Sequence, residues 1–341
     1  MHTPAGLKAM RFMSLLLGFG LTAALSWGQP PTVIKFATLA PEGSSWMQVF
    51  KAAADEVQQR TGNAVQFKIY AGGVMGDERD MIRKLHIGQI HSAVLTSAGL
   101  SNIIPDMDVL QIPFLFNTYD EVDHVLARMG LFFKKGLEDS GYVLLGWSEA
   151  GFVNMMSSVP ADTIDKLKKA RVWIWNDSPM AKAIFEEAGV GGVPLSIPDV
   201  LVGLQTGLVE VVYAPPTGAI ALQWFTRVKY LNDVPLLYLA GGLVVKKASF
   251  DSITPEHQVL IRDIFQRHFI KLKDIIRREN QDALNLMLKQ GVQLLTPDPG
   301  QIAEYKRIAE KAMSREGGHK FSASAWEEVS ALLKAYREGR K

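Results

Sequence analysis

Along the first half of the chain, the spacing of apolar positions changes repeatedly between the period of two residues of a strand and the period of about 3.6 residues of a helix. The segment Val33–Ala40 and the alternation of Val65, Phe67 and Ile69 predict strands. Between them, apolar residues spaced three and four apart follow Ser44 or Ser45, and this spacing predicts a helix that stops at Thr61-Gly62. The same reasoning predicts helices at Asp77–Ile87 and Tyr119–Glu138 and strands at Gln89–Leu95 and Tyr142–Trp147. This β-α-β-α-β order is typical of an α/β layer fold.

A second series of the same kind begins near Gly151. The pattern predicts strands at Arg171–Trp175 and Leu208–Tyr213, and helices from Ser178-Pro179 to Gly189, at Pro198–Gln205 and at Gly218–Tyr230. No low-complexity linker separates the two series. We therefore expect two domains joined by a strand crossing or a tight turn.

Helical periodicity in the last third runs without a break from Thr254-Pro255 to Gln290. A helix of about 36 residues is about 54 Å long, which exceeds the diameter of an ordinary domain. Such a helix must cross both halves of the molecule. The sequence thus predicts a hinged protein with a cleft between two α/β lobes.

The first residues resemble an export signal. Lys8 and Arg11 precede an apolar stretch, Phe12–Leu25, and small residues lie before a predicted cleavage site near Gly28. The stretch is shorter than the roughly 20 residues of a membrane span, although an uncleaved anchor stays open as an alternative. We expect residues 1–28 to be removed and the mature protein to lie in the periplasm.

Charge and cysteine content exclude several classes of function. The formal net charge is +2, and Lys8 and Arg11 account for all of it because the first 28 residues contain no Asp or Glu. A balanced mature chain argues against binding to nucleic acid. The chain has no cysteine, so disulfides, thiol nucleophiles and cysteine-ligated metals are excluded.

Motifs for catalysis and for cofactors are weak. Ser148 lies in Gly146-Trp147-Ser148-Glu149-Ala150, which lacks the second glycine of a G-x-S-x-G nucleophile elbow. The seven histidines include no H-x-x-x-H pair, and no nucleotide-binding loop is present. We therefore predict no enzyme, no metal and no cofactor, and keep an exported hydrolase using Ser148 as a remote alternative.

The segment KKARVWIWNDSP, residues 168–179, places a cation beside two indoles. On a strand, Arg171, Trp173 and Trp175 share one face. A guanidinium on such a face requires an anionic partner. That partner is either a neighbouring Asp or Glu of the protein or an anion from outside, and the pattern alone leaves both open.

Several stretches, taken in order, resemble the extracytoplasmic solute receptors of tripartite ATP-independent periplasmic (TRAP) transporters, typified by the C4-dicarboxylate receptor. The resemblance rests on IKFATLAPEGSSWMQVFKAAADEVQQRTG, IYAGGVMGDERDMIRKLHIGQI, VLQIPFLF, LKKARVW and GLQTGLVE, followed by KYL and GVQLL. It covers about Val33 to Leu295. It implies a two-lobed periplasmic-binding-protein fold with mixed sheets flanked by helices, a ligand cleft between the lobes, and a long helix spanning both.

The resemblance also implies partners and a ligand anchor. The partners are a small organic acid and the integral-membrane permease subunits of a TRAP transporter. In relatives, the residue matching Arg171 pairs with the ligand carboxylate, which suits the planar fork of a guanidinium. The corresponding lobes are residues 29–149 plus 237–275 and residues 150–236 plus 276–321, followed by a C-terminal helix over 322–341.

Departures from the family pattern bear on the ligand. Tyr213 and Ala214 stand where relatives often have the Glu-Asn of Asp-Gly-x-Glu-Asn-Pro, and Val153 stands where some carry a second arginine. Trp173 replaces a common proline, and Thr96 matches a polar pocket position. These exchanges favour a monocarboxylate with an apolar or aromatic body. The predicted ligand-binding residues are Arg171, Trp173, Tyr213, Thr96, Ala214, Ile197 and Phe114. The alternative is an extracytoplasmic sensor or a carrier of an apolar ligand without a role in transport.

Overall fold

A computed structural model describes residues 30–175, 178–315 and 320–340. From Pro31 onward the chain forms one compact unit. The predicted signal segment, residues 1–28, lies outside the described residues, so its cleavage stays a prediction. None of the helices in the described part of the chain is long and apolar enough to cross a membrane.

The structure contains both α-helices and β-strands, as the two periods predict. The strands are β1 (Thr32–Ala37), β2 (Val65–Tyr70), β3 (Ser92–Thr96), β4 (Tyr142–Ser157), β5 (Val172–Trp175), β6 (Gly192–Leu195), β7 (Val211–Ala214), β8 (Tyr230–Asn232), β9 (Leu237–Lys246) and β10 (Gln293–Leu295). The helices are α1 (Ser45–Arg60), α2 (Glu78–His86), α3 (Ser97–Leu100), α4 (Tyr119–Asp139), α5 (Ile164–Leu167), α6 (Pro179–Glu187), α7 (Val200–Thr206), α8 (Pro216–Ala221), α9 (Lys247–Asp251), α10 (Pro255–Lys289), α11 (Pro299–Ser314) and α12 (Ala323–Glu338). Short 3₁₀ turns occupy Pro105–Gln111, Ile197–Asp199 and Trp224–Thr226.

One mixed sheet connects these strands in the order β2-β1-β3-β9-β4-β7-β5-β6. The first half contains the parallel strands β2, β1 and β3, followed by antiparallel β9. The second half contains the parallel strands β7, β5 and β6, with β8 pairing β4 and β10. Strand β4 belongs to both halves, because its beginning pairs with β9 and its end with β7 and β8.

Strand β4 is irregular at Gly151, shortly before it crosses from β9 to β7 between Val153 and Asn154. The register between β4 and β9 shifts between Glu149 and Gly151, and Gly151 has φ of 107°, which favours glycine. A Cβ at this position would lie 2.4 Å from Asn280 Nδ2. Asn280 in turn donates to the Ala150 carbonyl at 2.9 Å and accepts from the Thr217 amide at 3.1 Å, so helix α10 holds the crossing in place.

Helix α10 confirms the long helix predicted from the periodicity. It contains 35 residues, and its N-cap, Thr254, accepts a hydrogen bond from the His257 amide. Ile261 and Phe265 pack in the core of the first sheet half, whereas Met287 packs in the core of the second. One apolar stripe on this helix therefore contacts both halves of the sheet.

Several elements differ from the predictions. Strand β4 does not stop near Trp147 but continues to Ser157, through the position where a second series was predicted to begin. Strand β9, which contains the pair Gly241-Gly242, was not predicted. The helix predicted over Gly218–Tyr230 ends at Ala221, and Gln223 then adopts φ of 61°. The predicted lobe boundaries stay a prediction.

Candidate ligand cavity

A partly open cavity of about 270 Å³ lies where the parallel strands of both sheet halves end. Thr38 follows β1, Thr96 ends β3, Trp175 ends β5 and Ala214 ends β7, and all four line the cavity. Ligands of open α/β sheets bind at the carboxyl ends of strands, where the connecting loops diverge. The position of this cavity is therefore that of a binding site.

Aromatic side chains form the wall of the cavity on the second sheet half. The rings of Trp173 and Tyr213 stack with centroids 4.7 Å apart, and Trp224 meets Trp173 edge-on at 5.2 Å. Phe185 of α6 lies 6.0 Å from Tyr213. Such pairs are stabilised beyond their buried area, so this wall is rigid and apolar.

The indole N–H groups of this wall are already bonded within the protein. Trp173 Nε1 donates to the Leu195 carbonyl at 3.0 Å, and Trp175 Nε1 donates to Asp77 Oδ2 at 3.0 Å. Asp77 Oδ2 also accepts from the Ile197 amide at 3.0 Å. Because Asp77 caps α2 in the first sheet half, its carboxylate ties the two halves together beside the cavity.

The hydroxyl of Tyr213 is a neutral donor in the cavity wall. It accepts a hydrogen bond from the Trp175 amide at 3.1 Å, which leaves its own proton available. Burial raises the pKa of Tyr213 above its usual range. The phenol therefore stays protonated at neutral pH.

Two carboxylates line the cavity, and both are engaged by protein donors. Glu78, 1 % exposed, accepts from the Thr96 amide at 2.6 Å and from the Thr96 hydroxyl at 2.8 Å. Glu149, 5 % exposed, accepts from Tyr238 at 2.6 Å and from Arg277 at 2.9 and 3.0 Å.

Arg277 also reaches Asp123 with two hydrogen bonds, at 2.7 and 2.8 Å. Burial opposes the charge of this guanidinium, but its bonds to Asp123 and Glu149 prevail and raise the pKa of Arg277. Burial alone would raise the pKa of Asp123, but the hydrogen bonds and the charge of Arg277 lower this pKa below its usual range. The cluster of Arg277, Asp123, Glu149 and Tyr238 is thus a charged and fully bonded layer behind the cavity, which we name the Arg277 cluster.

Six of the seven predicted ligand-binding residues line the cavity: Trp173, Tyr213, Thr96, Ala214, Ile197 and Phe114. Arg171 does not. Its guanidinium contacts Glu210 Oε1 at 2.7 Å and the Gly207 carbonyl at 2.6 Å, and its amide donates to Glu210 Oε2 at 3.0 Å. The structure thus shows the protein ion pair that the sequence pattern left open, and the anchoring role of Arg171 stays a prediction.

Sequence reasoning missed several residues of the wall. Trp224, Phe185 and Tyr305 line the cavity although they come from distant segments. Burial and nearby carboxylates raise the pKa of Tyr305 to about 12, and its hydroxyl donates to the Asp162 carbonyl at 2.5 Å. A period in one sequence shows which side chains share a face, but it does not show which faces meet.

Among the described residues, the lining of the cavity contains no lysine, arginine or histidine and therefore no cationic side chain. Within the same residues, no group of three or more His, Cys, Asp or Glu side chains could hold a metal ion.

A mixed sheet in two halves, a long helix along both and an apolar cavity at the strand ends are the features of a solute-binding protein. The sequence identifies the family: residues 36–316 match the family described as bacterial extracellular solute-binding protein, family 7, or DctP. The chain belongs to this family of TRAP solute-binding proteins, which are extracytoplasmic receptors and not enzymes. The predictions of family, fold class and absence of enzymatic activity are confirmed, and the hydrolase reading of Ser148 is excluded.

Similar proteins of known name and similar solved structures are also solute-binding proteins. The 2,3-diketo-L-gulonate-binding periplasmic protein YiaO of Escherichia coli is 26% identical over 244 residues, which is 71% of this chain and 74% of that protein. The sugar acid binding protein DctPAm of Advenella mimigardefordensis, in complex with galactonate, superimposes with a TM-score of 0.83 at 19% identity. The superposition covers 89% of this chain and 98% of that one. A TRAP periplasmic solute binding protein of Citrobacter koseri with bound D-glucuronate gives a TM-score of 0.77 at 25% identity, over 89% and 98%.

Proposed function

We propose that this chain is the receptor of a TRAP transporter and that its ligand is a monocarboxylate with a large apolar or aromatic body. The proposal rests on one observation above all: in a family of solute receptors, this cavity is walled by Trp173, Tyr213, Trp224 and Phe185. Relatives crystallised with sugar acids bind polyhydroxylated ligands. A sugar acid would leave its hydroxyl groups without partners against such a wall.

The area that the wall offers is sufficient for binding. Removing about 200 Å² of ligand apolar surface from water contributes about 5 kcal/mol at about 25 cal/mol per Å². Micromolar affinity corresponds to about −8 kcal/mol. The apolar body of the ligand therefore supplies a large part of the affinity, and closure of the two sheet halves around it would present the loaded receptor to the membrane permease.

Titration of the exported protein with a panel of acids tests this proposal. We expect apolar monocarboxylates such as 3-phenylpropanoate and octanoate to raise the melting temperature and to change tryptophan fluorescence, because Trp46, Trp173, Trp175 and Trp224 line the cavity. D-Glucuronate and C4-dicarboxylates are expected to do neither. Binding of the sugar acid alone would contradict the proposed ligand class.

A matched pair of variants on α6 locates the binding site. Ala181 lines the cavity, whereas Ala183 on the same helix is buried to a similar degree but does not line it. Ala181→Phe fills part of the cavity and is expected to abolish binding, while Ala183→Phe retains it. Equal binding by both variants would place the ligand elsewhere. Uptake of the ligand in a strain with the cognate permease, lost when the receptor is deleted, distinguishes a transporter from a sensor.

A further inference from the structure

The second half of the sheet has a separate apolar core on each of its faces. Along β5, Val172 packs into one core and Trp173 into the other, and Val211 and Val212 of β7 divide in the same way. Successive side chains of a strand point to opposite faces, so the two cores lie on opposite sides of the sheet. We name these sides the Val172 face, which is covered by α5, α6 and α11, and the Trp173 face.

The cavity is lined by residues from both of these faces. Trp173 and Trp224 of the lining belong to the core of the Trp173 face. The helices on the Val172 face contribute Ile164 and Leu167 of α5, Phe185 of α6, and Ile308 and Ala309 of α11. A single cavity that touches both faces passes through the sheet. We name the part between the Val172 face and these three helices the inner compartment.

The passage through the sheet lies between β5 and β7. Within the described residues, β5 pairs with β6 at four positions but with β7 only at the first residue of each strand. Beyond this pair the Trp175 amide donates to the Tyr213 hydroxyl at 3.1 Å, so a side chain bridges the two strands. The Tyr213 ring stacks on Trp173 at 4.7 Å and lies 6.0 Å from Phe185. Tyr213 therefore lies in the gap and contacts residues of both faces.

The helices line the inner compartment with apolar side chains. Ile164, Leu167, Ile308 and Ala309 are all buried. The polar side chain that α11 adds to the lining, Tyr305, donates its hydroxyl to the Asp162 carbonyl at 2.5 Å. A hydroxylated ligand group placed here would lose its hydrogen bonds to water without replacement. The inner compartment therefore suits hydrocarbon.

The volume of the cavity exceeds the need of a single ring. An apolar cavity of about 150 Å³ holds one benzene molecule, whereas this cavity measures about 270 Å³. A ligand with one ring against Trp173 would leave the inner compartment unfilled. Side chains around an unfilled void lose dispersion contacts, so a ligand that also fills the inner compartment is favoured.

We infer that the inner compartment binds the distal end of an elongated ligand, which passes the Tyr213 ring between β5 and β7. The carboxylate end of the ligand stays in the cleft between the sheet halves. This assignment rests on the proposed function and narrows its ligand class to monocarboxylates whose apolar body is longer than one aromatic ring, such as ω-phenylalkanoates or medium-chain fatty acids.

A series of acids that differ only in length tests the inference. We would titrate the exported protein with 3-phenylpropanoate, 6-phenylhexanoate and 9-phenylnonanoate by calorimetry and tryptophan fluorescence. Each methylene buried is expected to lower the dissociation constant about fourfold. 6-Phenylhexanoate should therefore bind at least about tenfold tighter than 3-phenylpropanoate.

A matched pair of variants on α11 assigns this gain to the inner compartment. Ala309 lines the cavity, whereas Ala312 on the same helix is also buried but does not line it. Ala309→Leu should abolish the gain of the longer acids and leave 3-phenylpropanoate within about threefold of its wild-type affinity, which also shows that the variant is folded. Ala312→Leu should keep the gain. The smaller pair Ala309→Val and Ala312→Val replaces them if leucine prevents folding.

The outcomes separate the inference from the proposed function. Equal or weaker binding of the longer acids, with 3-phenylpropanoate still bound, would overturn the inference and leave the proposed monocarboxylate receptor intact. A gain with length that persists in the Ala309 variant would place the chain in the cleft and overturn the inference as well. Failure of all three acids and of octanoate, together with binding of D-glucuronate, would overturn the proposed function itself.

Discussion

Two arginines in this molecule make similar hydrogen bonds in different surroundings. Arg171, directly before β5, is 53% exposed and pairs with Glu210, whose side chain is 18% exposed. Arg277, on α10 behind the cavity, is 17% exposed and pairs with Glu149, whose side chain is 4% exposed. Water screens the first pair and is excluded from the second. The same chemistry therefore has little energetic effect at the strand end and a large one in the Arg277 cluster.

The difference also concerns function. The Arg277 cluster supports the wall of the cavity from behind, since Trp46 Nε1 donates to the Glu149 carbonyl at 3.1 Å and Arg277 lies 4.4 Å from the Tyr119 ring. Arg171 instead lies at the junction of β5 and β7, where its guanidinium contacts Glu210 and the Gly207 carbonyl and its own carbonyl accepts from the Glu210 and Val211 amides. Substitution of each arginine should therefore distinguish the side chains that stabilise the cavity from those that contribute little to the fold.

Arg277→Leu should produce the largest effect. The substitution leaves Glu149 buried without its cation, and breaking one side of a buried ion pair costs about 3–5 kcal/mol. Urea denaturation followed by tryptophan fluorescence measures the loss in the free energy of unfolding. The control combines Arg277→Leu with Glu149→Gln, which removes the unpaired charge and should recover part of the stability. A loss below about 1 kcal/mol would mean that water reaches Glu149.

Tyr238→Phe should have an intermediate effect. The substitution removes the 2.6 Å hydrogen bond to Glu149 but leaves the arginine pair. A hydrogen bond to a charged group contributes about 1.5–3 kcal/mol. Tyr142→Phe is the matched control, because Tyr142 is also a buried ring but its hydroxyl meets no carboxylate in the described structure. Equal losses in the unfolding free energies of the two variants would show that the bond to Glu149 contributes nothing.

Much of this arrangement follows from the sequence, and what does not has identifiable causes. Alternation along β5 predicts that Trp173 and Trp175 share a face, and both line the cavity. The same alternation assigns Arg171 to that face, but the strand begins only at Val172. Glu210 lies 39 residues further along the chain, so its contact with Arg171 depends on the pairing of β5 with β7 and is not contained in any local pattern.

Strand β9 shows a different reason why an element could not be predicted from the sequence. A glycine pair inside a strand indicates close approach of a neighbouring backbone as well as a turn. At Gly241 a Cβ would lie 2.9 Å from the Leu95 carbonyl oxygen of β3. The glycine is therefore required by tight strand packing. The sequence pattern contains the signal, but only the neighbouring strand decides between its two meanings.

Arg171→Ala should have the smallest effect. An exposed ion pair contributes about 0–1 kcal/mol, so the free energy of unfolding should fall by less than about 1 kcal/mol. Because Arg171 lies outside the cavity lining, its position predicts that the affinity for an apolar monocarboxylate stays unchanged in titration. The anchoring role that the family resemblance implies predicts instead that binding is lost. Trp173→Ala, two residues further along the chain, should instead weaken binding at least about tenfold, since it removes one face of the aromatic wall. If Arg171→Ala abolished binding while the fold stayed intact, the guanidinium would have to leave Glu210 for the ligand, and the anchoring role implied by the family resemblance would be supported.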